Sequence, residues 1–198
     1  LTTIASETTV STGTGTLTVL STMSMDSTTQ LLTISMDDID IAADAALSTG
    51  TADMNIHCHT TFHAIGLGGT GKDMSITGLE LQAISTNLLT IGGTQCASIF
   101  VDGISAANSN TATSVLMLFP RDDASITFSN SESTFNILTA QADDGLTGVT
   151  TDVGVMLLDS DYDDASDVSD ILGIASLLTL TAETKLTLDS TTQGIHTD

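Results

Sequence analysis

Positive charge is almost missing from this chain. Lys72, Arg121 and Lys185 are its only Lys or Arg residues, against 25 acidic ones, for a net charge of −22 over 198 residues. No cationic face can displace the counterions of a nucleic acid, and an anionic membrane surface repels the chain. Aromatics are as scarce, at 3%, with no Trp, a single Tyr (Tyr162) and five Phe, so any core must be built from small aliphatic and Met side chains. Long apolar runs are lacking too. Val115 to Phe119 is among the longest, Pro120 ends it, and no segment has the length of a helical membrane span. Charged straight-chain helix formers are rare. Only Glu7, Glu80, Glu132 and Glu183 are Glu, and the remaining acids are Asp, which favours turns and caps. No Asn has Ser or Thr two residues on, so sugars on this chain would be O-linked to its Thr and Ser. The chain begins without Met or a signal-peptide pattern, and begins and ends in β-patterned sequence; it reads as a segment of a longer protein.

What is present points to strands. The hydrophobic share is 40% and the mean hydropathy is +0.28, values that disordered chains rarely reach. Thr, Val and Ile are stiff at χ1 and fit a pleated surface. Alternating segments recur at Leu17–Val19, Leu32–Met36, Met54–Cys58, Met74–Ile76, Leu79–Leu81, Leu89–Ile91, Ile99–Val101, Val115–Phe119, Ile126–Phe128, Phe135–Ile137, Val153–Leu158, Leu178–Leu180 and Leu186–Leu188. Their principal starts are spaced by about 17 to 24 residues, the length of one β-helix turn. The expectation is an all-β chain, a parallel β-solenoid with coils of about 20 residues forming a single array over 1–198. The alternative is a β-sandwich or jelly roll, whose strands come at about 8 to 12 residues with hairpin signals such as Asp102-Gly103 and Asp144-Gly145. The string DSTTQ occurs at 26–30 and again at 189–193, with matching residues before it, which suggests a new repeat copy beginning near 164–180.

The stretch Asp73 to Gly93, followed by Ser98 to Gly103 and Leu178 to Ala182, resembles the coils of large secreted β-helix proteins. These are the filamentous-haemagglutinin-like adhesins and the giant Thr/Ser/Asp-rich repeat proteins of algal and protist surfaces. The resemblance lies in coil texture. It implies surface display and structural or adhesive work, and it carries over no catalytic residue.

The sharpest local motif is Asp159, Asp161, Asp163, Asp167 and Asp170, at loop positions 1, 3, 5, 9 and 12, the spacing with which a tight loop wraps oxygens around calcium. Asp164 stands where such a loop wants Gly, and Asp170 replaces a bidentate Glu. Gly68 to Asp73 matches the opening of a calcium-binding nonapeptide but occurs once, with Ser75 where an aliphatic belongs, and reads as a turn. His57 and His59 share one face of a strand while Cys58 points to the other, so with His63 they do not converge on zinc. Cys58 and Cys96 form either one disulfide in an oxidising compartment or two buried thiols. Catalysis would need a carboxylate cluster with a basic partner or aromatic sugar platforms, and the chain is expected to be no enzyme. Thr12 to Thr18, with Thr at every second position, raises an ice-binding face.

Together these features predict a structural subunit of an extracellular filament or surface appendage, self-associating through its coil ends and stabilised by calcium. Glycans are a further expected partner, and no organic cofactor is. The alternatives are a calcium-dependent cell-surface adhesin module and an ice-binding solenoid.

Overall fold

The computed structural model describes residues 7–69, 71–118, 123–129, 131–147, 151–164, 170–174, 180–191 and 193–197. The Thr-rich alternating segments form strands in sequence order. The first are β1 (Glu7–Ser11), β2 (Thr16–Val19), β3 (Ser24–Asp26), β4 (Leu31–Met36), β5 (Asp38–Ile41) and β6 (Ala46–Ser48). Next come β7 (Met54–Cys58), β8 (His63–Gly68), β9 (Met74–Ile76), helix α1 (Gly78–Gln82), β10 (Ile84–Gly92), β11 (Cys96–Asp102) and helix α2 (Ala106–Ser109). The chain continues through β12 (Ala112–Leu118), β13 (Ile126–Phe128), β14 (Ser133–Gln141), β15 (Leu146–Thr147) and β16 (Thr151–Asp159). It closes with β17 (Leu172–Ile174), β18 (Leu180–Asp189) and β19 (Ile195–Thr197).

Every strand pairing among the described residues is parallel. One sheet runs β1-β4-β7-β10-β12-β14-β16-β18, with β6 and β3 attached through the start of β10. A second runs β9-β8-β11-β13-β15-β17-β19, and β2 and β5 form a two-stranded third. The hairpins of a sandwich are antiparallel, so this all-parallel arrangement removes the sandwich alternative.

Alternation decides which side chains face inward. In the long sheet Leu32, Met54, Leu89, Val115, Leu138 and Met156 stack in register, all buried. In the second sheet Met74, Ile65, Ile99, Ile126, Leu146 and Leu172 do the same. Each buried aliphatic contributes roughly 1.5–3 kcal/mol relative to exposure. The polar partners Thr33, Asn55 and Thr139 lie on the outer face, half-buried.

Partners in the long sheet are about 18 to 26 residues apart, the β-helix range, except in two places. Between Met54 and Leu89 the chain adds β8, a short return, β9 and α1. Between Met156 and Leu186 it adds the acid-rich segment and β17. The return from β8 into parallel β9 starts at Gly68, whose φ is +92°; a Cβ there would collide with the Asp102 carbonyl oxygen.

Two sequence expectations are corrected. Leu79-Glu-Leu81 is not a strand but lies within α1. Thr77 caps α1, its hydroxyl accepting from the Glu80 N–H while the Glu80 carboxylate accepts from the Thr77 N–H at 2.8 Å. The alternation in Phe135-Asn-Ile137 resets: Phe135 and Leu138 are both buried and Ile137 is left half-buried. The first DSTTQ string starts on the last residue of β3 and runs to the start of β4, and the second starts on the last residue of β18.

Candidate functional site

The acid-rich segment begins where β16 ends. Asp159 is half-buried, opposite Gln141 on one neighbouring strand and Asp189 on the other. The Gln141 side-chain amide donates to its Oδ2 at 3.1 Å and the Asp161 N–H to its Oδ1 at 3.3 Å. Burial raises the Asp159 carboxyl above its ordinary pKa, and the negative Asp189 and Asp164 add to the rise, outweighing these two hydrogen bonds. Asp161 and Asp170 are buried, whereas Asp163 and Asp164 face solvent and Asp167 lies outside the described residues. Ser160 ties the segment down, its hydroxyl donating to the Asp170 carbonyl at 3.1 Å. Asp164 adopts φ +57° where the motif would take Gly, and its Oδ1 accepts from the Thr191 hydroxyl at 2.6 Å. The carboxylates thus divide between interior and solvent, and among the described residues no three His, Cys, Asp or Glu side chains converge as metal ligands.

Cys58 and Cys96 are joined in a disulfide with Cα atoms 5.2 Å apart. It links the end of β7 to the start of β11, both buried, and spans the irregular turn that holds β8, β9 and α1. Around it the three histidines lie near different groups. His57 Nδ1 contacts the Gly92 carbonyl, and its ring fills the place a Cβ on Gly93 would need. His59 Nδ1 lies 3.5 Å from the Ser35 hydroxyl, and His63 Nδ1 lies 3.5 Å from Asp37. Burial pushes the Asp37 carboxyl upward, yet hydrogen bonds from the Thr60 hydroxyl and N–H, with His63 and His59 nearby, outweigh it and hold the group below its ordinary value. A pocket of about 430 Å³ lies here, lined by Ser35, His57, Cys58, Thr90, Thr94 and Gln95.

Gly68 to Asp73 forms the β8–β9 return, Thr70 lying outside the described residues. Lys72 Nζ sits 3.6 Å from the Phe100 ring centroid, and Asp73 accepts from the Ala64 N–H. Arg121 is outside the described residues. The Thr12–Thr18 run is split: Thr12 closes a turn by donating to the Gly15 carbonyl, and Thr16 and Thr18 pair with Asp38 and Asp40 rather than with further Thr.

Sequence reading missed Glu80, a buried carboxylate that also accepts from the Ile41 N–H at 3.3 Å and so fixes α1 to β5. Its signal was present as Thr77-Gly-Leu-Glu80, a capping-box spacing hidden inside an apparent strand. It also missed Asp143, a buried carboxyl that accepts from the Asp123 N–H. Comparison of the chain with protein-family models, curated proteins and solved structures gave no match.

Proposed function

We propose that this chain is a length of parallel β-solenoid and serves as a structural subunit of an extracellular filament or surface appendage. The observation that carries this reading is the pairing pattern: neighbouring passes of the chain pair in parallel, and among the described residues β1 and β2, and β18 and β19, each have a strand partner on one side only. Such an edge is a template for another strand. Continuous inner ladders of Leu, Ile and Met give the stiffness of a rod, and outer Thr, Ser and Asp give a hydrated coat. The buried Cys58–Cys96 disulfide supports an oxidising location outside the cell. With a net charge of −22, copies repel one another at low salt, so assembly is expected to need screening or a divalent cation. Calcium enters the reading as the cation that would relieve repulsion around Asp159, Asp164 and Asp189.

Electron microscopy and fibre diffraction of the purified chain, with calcium and then with chelator, test this. Thin filaments with an axial repeat of about 4.8 Å are expected. Discrete monomers in every salt and calcium condition would overturn it. One second reading is a calcium-dependent adhesive module, with the pocket beside Cys58 as the place for a ligand. Glycan binding by a protein that stays monomeric would select that reading.

A further inference from the structure

Among the described residues, at one end of the stack β1 pairs only with β4 and β2 only with β5; at the other β18 pairs only with β16 and β19 only with β17. The inward positions at these ends are incompletely covered. Val10 and Leu17 are half-buried, as is Leu188, while Leu186 and Ile195 are 42% and 46% exposed. Both ends belong to the same pair of faces, since Val10 and Leu188 end one inner ladder, and β5, the neighbour of β2, is bonded to β9 of the second sheet through Asp38 and the Ser75 N–H.

We infer that the C-terminal end of one copy docks head to tail on the N-terminal end of a second copy of this chain, with Lys185–Asp189 of β18 in register with Glu7–Ser11 of β1. This rests on the filament reading above and adds its interface. Three features select that register. Leu188 meets Val10, which joins the ladder of Leu158 to that of Ile34. Leu188 and Ile195 are seven residues apart, as are Val10 and Leu17, so β19 would meet β2 in the same docking. Lys185, one of three Lys or Arg in the chain, falls opposite Glu7. Lys185 forms no ion pair among the described residues, and Glu7 takes only a 3.3 Å hydrogen bond from Thr33. A shift by two residues keeps the same face inward but sets Lys185 against Thr9 and carries Leu188 beyond β1, to Thr12.

The test uses the full chain at about 0.15 M salt, where charges beyond roughly 8 Å are screened and adjacent ones are not. Sedimentation velocity and electron microscopy follow assembly of the wild type, K185E, E7K and the double variant. Each single reversal is expected to weaken assembly roughly tenfold, and the double variant to restore it. Under oxidising conditions a mixture of T9C and T187C, predicted neighbours on the outer face, should cross-link, whereas T9C with T181C should not. Assembly insensitive to both reversals, with no T9C–T187C cross-link, would overturn this interface and leave the filament standing. A wild type that never assembles would overturn both.

Discussion

Asp37 and Asp159 lie on opposite sides of their ordinary pKa, and the reason is local company. Asp37 receives two hydrogen bonds from Thr60 and has His63 and His59 beside it; Asp159 is partly desolvated with Asp189 and Asp164 near. For Asp37 the folded state favours the ionised form, so its stabilisation is present above the unfolded value and is lost as pH falls through the lower, folded one. Asp37→Asn is expected to cost on the order of 1 kcal/mol at neutral pH and to flatten the fall in melting temperature below about pH 4, read by circular dichroism. Asp159 has the opposite sign. Its folded pKa is raised, so stability declines as pH rises from the ordinary carboxylate range through the raised value. Asp159→Asn in chelator should remove that decline and raise the neutral-pH melting temperature by roughly 1–3 °C. Nothing in the sequence foretold this contrast, because Thr60 and His63 reach Asp37 across the turn between coils, and Asp189 reaches Asp159 only through strand register.

Among elements, the strands were legible and the short helices were not. Period-two alternation identified β4, β7 and β11 because one face of each is fully apolar. In α1 the same alternation, Leu79-Glu-Leu81, was overruled by capping: Thr77 and Glu80 satisfy each other's backbone donors, and Leu79 is left 65% exposed. Glu80→Ala leaves the Ile41 and Thr77 N–H groups without their acceptor, so a loss of about 1–3 kcal/mol is expected in urea unfolding. Glu80→Gln, which retains a carbonyl oxygen, should lose less. The candidate calcium loop was legible as a run of Asp, but its burial was not. Sequence spacing cannot say that Asp161 and Asp170 turn inward while Asp163 turns out, since that follows from how Ser160 is anchored between neighbouring coils.

For the molecule as a whole, strands pair with their neighbours in each sheet, and on the proposed solenoid reading stability is nearly a sum of coil terms and interfaces. The disulfide bridges a sequence separation of 38 across the most irregular turn, which the chain-entropy model values at about 3–4 kcal/mol. Replacing both cysteines by Ala should lower the melting temperature, with increased hydrogen exchange concentrated between residues 59 and 95 and little change beyond β14. A uniform increase along the chain would contradict the one-dimensional picture. Composition and alternation alone determined that this chain is all-β, acidic on its surface and aliphatic within, because both properties are read residue by residue. Which residues pair across the strands, the disulfide, the two enlarged turns and the sorting of carboxylates between core and solvent were decided only in three dimensions. Each depends on which coil lies beside which, and strand pairing between residues far apart in the chain leaves no trace in any local window.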